Sequence, residues 1–509
     1  MPLSDIIFQK GQGGLGRPLS GQDFISGLCF YSNSLPAGFS PANRIKQLFS
    51  VSDAVNAGIL NDNSDAVAPT FQYLITASGS VGDTINCTIT VASGKVINLG
   101  TYKKVAGDST ITLLGTSIAS AINGGTITHG YSAAFANAIV TVTGTLDTGV
   151  YLNSAVLPVA ITIVGTIAGT LSQPTGGVAS KLAVYYYHIA EYFRLQPKGS
   201  LYVGFFAITS PYTFQEISTI QNFANGSIRQ VGIFKDSASA FAVGDITLID
   251  LVCKANDSLH KPLSALYAAD LSATVDISVL TDLNLLTASK CSAVIGQDGA
   301  GQGNALFLAT GKSITILGAL LGTVSLSKVS ESVAWVGQYN ISNGIECEVL
   351  AFANGQQFNA AAISDNLLQS LDAKRYVFLR KYVGAAGSYF NGGHAAVSIT
   401  SDYAYIENNR TIDKATRGIY ASLLPSLNSP LRLNADGSLR ETTTAFLESQ
   451  AEINLNQMVR DGELSAHKVS INPAQNVLST NQIIIAVTMV INGIARFIIV
   501  PIGFKPSIV

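Results

Sequence analysis

Two apolar runs near the C-terminus, Ile483–Ile491 and Ile494–Val500, are joined by Asn492-Gly493. That dipeptide is the strongest short hairpin signal, because both turn positions need φ > 0. In a two-residue hairpin Ile491 faces Ile494, Met489 faces Arg496, Val487 faces Ile498 and Ile485 faces Val500. The opposite face carries Ile484, Ala486, Thr488 and Val490 against Ala495, Phe497, Ile499 and Pro501. Both faces are apolar, so both need cover. Leaving one wet forfeits roughly 1.5–3 kcal/mol per large side chain. The hairpin is therefore expected to complete its own domain's sheet and to offer an edge to a strand from another copy. Ile6-Ile7-Phe8, ahead of a Gly-rich stretch from Gly11 to Gly21, is a short apolar arm in search of such an edge.

Composition sharpens the demand for cover. Charged residues make up 12% and hydrophobic ones 47%, against about 25% charged in an average soluble domain. Such a chain either enters a membrane or is covered by copies of itself, since obligate interfaces resemble a core cut in half. A spanning helix needs roughly 20 consecutive apolar residues. Ala155–Leu171 is broken by Pro158, Gly165 and Gly169, Ile314–Leu326 is too short, and Ile483–Ile502 contains Asn492-Gly493 and Arg496. Met1-Pro-Leu-Ser-Asp5 carries no basic region and apolar run, so no signal peptide and no membrane insertion are expected. A net charge of −2 with mixed signs gives no footprint for nucleic acid. The cysteines (Cys29, Cys87, Cys253, Cys291, Cys347) form no CxxC and read as small buried hydrophobes.

A chain of 509 residues exceeds what one core organises, and the pattern divides it. Residues 1–30 read as an extended arm. Ser40-Pro41 predicts a helix start, and a second short helix fits 52–57. From 62 to 177 the chain is rich in Thr, Ser, Gly, Val and Ile, predicting an inserted all-β domain of short strands. Residues 31–61 and 178–359 form a discontinuous α/β core. There, apolar runs such as Leu201–Ile208 alternate with helices such as Ser180–Arg194, a helix near 280–288, and one opened by the capping box Thr213-Phe-Gln-Glu216. Residues 360–509 form a C-terminal α/β domain. It carries helices Ile406–Leu423 and Glu441–Arg460 and strand Ala466–Ile471. The fold class is α/β multidomain.

Catalytic motifs fail on context. Gly11-Gln-Gly13-Gly-Leu-Gly16 matches GxGxxG, but Arg17-Pro18 and Ser20-Gly21 follow where a helix must open. Gly311-Lys312-Ser313 ends like a phosphate loop, yet Leu306 stands where its first glycine belongs. His188 and Glu191 share a helical face without a second ligand pair. No GxSxG is present. No enzyme activity, cofactor or metal is expected. The competing classes are an α/β nucleotide-binding enzyme and a surface-exposed binding protein.

Three segments resemble contractile tail sheath proteins: Ile7–Leu28; Val294-Ile-Gly-Gln-Asp-Gly299 with Leu317-Gly-Ala-Leu-Leu-Gly322; and the region from Asp372 to Val509. The last includes Arg375-Tyr-Val-Phe-Leu-Arg-Lys-Tyr382 and Val469-Ser-Ile-Asn-Pro473. The resemblance implies a sheath core whose extended N- and C-terminal strands are exchanged between subunits. It also implies a homo-oligomer of hexameric rings stacked helically around an inner tail tube protein, with baseplate and tail terminator proteins as further partners. Assembly would take place in the host bacterial cytoplasm, and the finished place would be the tail of a virion or of another contractile injection particle. By the same resemblance Ile6, Ile7 and Phe8 are the donated arm. Ile483, Ile485, Val487, Met489, Ile491, Ile494, Phe497 and Ile499 form the accepting hairpin, and Glu448, Glu452 and Arg460 are candidate tube contacts.

Overall fold

The computed structural model describes residues 22–91, 95–153, 159–236 and 240–504. At its centre a six-stranded sheet runs in the order Cys291–Val294, Ser264–Ala268, Gln230–Lys235, Ile25–Tyr31, Ser200–Phe206, Ile45–Leu48. The first five strands are parallel and the last is antiparallel. Alternate residues of Ile25–Tyr31 serve two apolar clusters, as a period-two strand must. Leu28 and Phe30 pack with Val203, Phe205, Leu317 and Leu320, while Cys29 and Tyr31 pack with Val231, Ile233, Ile246 and Ile249. Helices cover both faces, which is why these strands are buried almost without interruption. Helix Leu317–Leu326 lies so close to helix Lys181–Leu195 that a Cβ on Gly318 would collide with the His188 carbonyl, and one on Gly322 would sit 2.7 Å from that of Tyr192.

Residues 70–171 build two further sheets. One runs Ser132–Ala136, Ile139–Thr143, Thr70–Ser78, Ile167–Leu171, the other Val96–Lys103, Thr84–Thr90, Val159–Val164. They share a core with helix Ile111–Asn123, and that cluster draws its residues from 71–171 alone. Backbone bridges Val67↔Val178 and Thr70↔Thr175 tie the two ends of this segment together. The C-terminal residues form helices Ile406–Leu423 and Glu441–Arg460 beside a two-stranded sheet, with Ala415, Ala451, Leu455, Met458, Leu464 and Val469 between them. Among the described residues no helix is long and apolar enough to cross a membrane.

Several expectations are corrected. The arm 1–30 is too long at its C-terminal end, since Ile25–Tyr31 is a central strand whose partners begin at Ser200 and Gln230. Ser40-Pro41 opens a turn closed by the Ser40↔Asn43 bridge, where the Ser40 hydroxyl accepts from the Asn43 N–H. The Thr213 capping box does not form. Phe214 takes φ +57 and is buried, the helix begins at Glu216, and the Glu216 carboxylate accepts from the Tyr31 hydroxyl instead. No helix spans 280–288: the Asp276 and Asp282 side chains each accept from a backbone N–H two residues on, favouring single 3-10 turns. Residues 365–397 belong with the central body rather than the C-terminal helices, because Leu371, Tyr376, Phe378 and Ala396 sit in its core.

Candidate subunit-interface surfaces

Strand Ile485–Val490 pairs antiparallel with Ala466–Ile471, from Ala466↔Val490 to Ile471↔Ile485. Alternation gives it one packed face: Ile485, Val487 and Met489 lie against the apolar cluster of the two long helices. Ala486, Thr488 and Val490 face outward and are exposed. Ala466–Ile471 is its one partner among the described strands, so its second edge is open.

The predicted hairpin is a correction. Ile494–Val500 forms no strand, and neither Asn492 nor Gly493 takes the positive φ a tight hairpin turn requires. Local polar groups outcompete the turn. The Asn492 amide donates to the Gly462 carbonyl at 2.7 Å and its oxygen accepts from the Ser465 hydroxyl at 2.9 Å. Arg496 then draws the chain away, bonding Glu407 at 2.5 Å and stacking on the Tyr405 ring at 3.4 Å. The predicted hairpin residues divide accordingly. Ile483, Ile485, Val487 and Met489 are packed within the chain, whereas Ile491, Ile494, Phe497 and Ile499 are exposed. Phe497 and Ile499 are 90% and 88% exposed, and Ile498, Val500, Ile502 and Phe504 are similarly bare. Contiguous apolar exposure of this extent is rare on soluble proteins that stand alone. Ile6, Ile7 and Phe8 lie outside the described residues, as does the glycine motif at 11–16.

The three candidate tube contacts differ in their surroundings. Glu448 accepts from the Ile471 N–H at 2.7 Å, anchoring the sheet to its helix. Glu452 is half-buried. Arg460 stands exposed at the helix end and donates to Gln457. The outward face of that helix carries Phe446, Ser449, Ile453 and Asn456. The other sequence motifs stay apart from these surfaces. Glu191 is held by Arg194 at 2.6 Å, and Gly311 is the left-handed cap of helix Gln302–Thr310.

Sequence reasoning missed a buried charge cluster along helix Ile406–Leu423. Lys414 bridges Asp23 and Glu463, each at 2.7 Å, and Arg417 also reaches Asp23 at 3.0 Å. Lys290 pairs with Asp413 at 2.5 Å and with Asp257 at 3.6 Å. Arg410 donates to the Ser327 hydroxyl and to the carbonyls of Ser327 and Lys328. Burial pushes the carboxyls of Asp413 and Glu463 above the ordinary carboxylate range, against the pull of their lysines. A signal existed: Glu407, Arg410, Lys414 and Arg417 recur at helical spacing along one stripe.

The N-terminal domain of DUF2586 matches residues 76–394 and its C-terminal domain matches residues 402–508. The chain belongs to the DUF2586 family. The family's own division thus falls between 394 and 402, just before the charged helix. No curated protein matches the chain. Among solved structures, it is similar to a chain of the anti-feeding prophage baseplate, 6-fold symmetrised, at 13% identity and TM-score 0.44, covering 63% of this chain and 80% of that one. It is also similar to a chain of the anti-feeding prophage helical sheath in the contracted state, at 15% identity and TM-score 0.45, covering 63% and 81%.

Proposed function

We propose that this DUF2586 chain is a structural subunit of a contractile tail-type sheath and has no catalytic role. The observation that carries the reading is an open strand edge at Ile485–Val490 followed directly by an exposed apolar run from Phe497 to Phe504. An unpaired edge templates strand addition, and an apolar run of that length is stable in water only when covered. In the proposed assembly the arm Ile6-Ile7-Phe8 of one copy adds to the Ile485–Val490 edge of another, and the run beyond Arg496 is covered at the same junction. Repetition of one such contact in a ring and along an axis gives stacked hexamers around a tube. Contraction is then a change between two packings of rigid subunits, driven by interface gained rather than by nucleotide hydrolysis. The 70–171 segment, with its own core, stands as decoration outside that mesh.

Deleting residues 1–20 tests the arm. The expected result is a folded monomer by circular dichroism and sedimentation that forms no tubes or rings in negative stain. Normal tubes from the truncated chain would refute strand donation, and a monodisperse full-length protein under all conditions would refute the sheath.

A further inference from the structure

The contact between the C-terminal unit and the body is mostly polar, with ion pairs at its centre. Of residues 402–504, only Ala404, Tyr405 and Ile406 join apolar clusters that contain residues of the body. The clusters of the long helices and closing sheet hold no residue before 415. Helix Ile406–Leu423 therefore has two unlike faces. Ala415 and Ile419 pack on helix Glu441–Arg460, while Arg410, Asp413 and Arg417 face the body and Lys414 spans both. The groups meeting that face come from separate elements: Asp23 ahead of the central strand, Asp257 at the end of helix Val243–Ser258, Lys290 before Cys291–Val294, and Ser327 and Lys328 after Leu317–Leu326. The remaining ties are polar or planar. The Thr411 hydroxyl donates to the Val329 carbonyl, Lys328 to the Asp461 carbonyl, Asn492 to the Ser330 hydroxyl, and His260 stacks on Tyr420 at 4.1 Å.

We propose that this charged seam is a hinge: the 407–504 unit swings as a body about an apolar pivot at Ala404–Ile406, with the ion pairs of residues 413–417 and the hydrogen bonds of Arg410 separating and re-forming. An apolar seam of this extent would fuse the two units, because opening it would expose hydrophobic surface. A buried ion pair instead contributes little net stability over a hydrophobic replacement, while fixing one register when closed. Charges released on opening regain hydration, so the open state is accessible without unfolding either core. The pivot lies a few residues inside the C-terminal domain match, which begins at residue 402. The hinge itself does not rest on the sheath reading; only its use, letting a subunit keep neighbours at its C-terminal unit while its body repacks, does.

Hydrogen exchange of the full-length monomer, read by mass spectrometry, tests the hinge apart from assembly. In the wild type, amides of 407–417 and of the segment around Asp23 are expected to exchange together through an opening more frequent than that of the central strands. Lys290→Met leaves Asp413 without its lysine and should raise that opening roughly a hundredfold to a few thousandfold. The double variant Lys290→Met/Asp413→Leu fills the gap with apolar side chains and should make opening rarer than in the wild type. The hinge is overturned if wild-type 407–417 exchanges only with global unfolding, or if the double variant opens as often as the wild type.

Discussion

The exposed run after Arg496 permits a test in which folding and association separate cleanly. Consider Phe497→Asp together with Ile499→Asp. Both side chains are about nine-tenths exposed in the single chain, so their replacement should change monomer stability by no more than about 0.5 kcal/mol. In an assembly that covers them, each contributes roughly 1.5–3 kcal/mol, so losing both costs about 3–6 kcal/mol per subunit contact. At about 1.4 kcal/mol per factor of ten, the concentration needed for polymerisation should rise roughly a hundredfold to ten-thousandfold. Sedimentation velocity across a dilution series measures that concentration, and thermal melting by circular dichroism checks the fold. An unchanged melting curve with a shift of less than about threefold would show that the run is not an interface, whatever else holds the subunits together.

Two further predictions concern the body. Gly318→Ala places a methyl group against the His188 carbonyl, where helix backbone must give way, and should destabilise the chain by about 1–3 kcal/mol. An unchanged urea midpoint would contradict that packing. His188 is buried with neither ring nitrogen hydrogen-bonded, and burial pushes its pKa down to about 3. The folded state thus resists protonation that the unfolded chain accepts near pH ~6.5. Its neutral form carries full stability above that pH, and stability is lost as pH falls toward 3, by about 2 kcal/mol at pH 5. His188→Phe should remove that part of the loss between pH 8 and pH 5 in urea titrations; an equal loss in both proteins would contradict it.

What the sequence discloses tracks how local the cause is. Helices Ile406–Leu423 and Glu441–Arg460 form with the predicted bounds, and helix Lys181–Leu195 follows its Ser180 cap, because periodicity and capping act within a few residues. Central strands read as unbroken apolar runs for the same reason. Ile25–Tyr31 hides because its partners lie some 170 residues or more away and no neighbouring residue announces them. The Asn492-Gly493 hairpin misleads because Gly462, Ser465 and Glu407, distant in sequence, bind the turn and the strand meant to follow it. The charged seam escapes notice because each ion pair joins residues far apart: Asp23 to Lys414, Lys290 to Asp413. A polar stripe on a helix ordinarily reads as its wet side, and here it is the buried one.

Disulfide trapping tests strand donation most directly. The native cysteines are all buried, so new ones dominate the chemistry. Copies carrying Phe8→Cys are mixed with copies carrying Thr488→Cys and oxidised under assembly conditions. Strand donation predicts chains joined one to another, in ladders that vanish when assembly is blocked. Cross-links that form only when both cysteines occupy the same chain would place the arm on its own subunit and contradict the account.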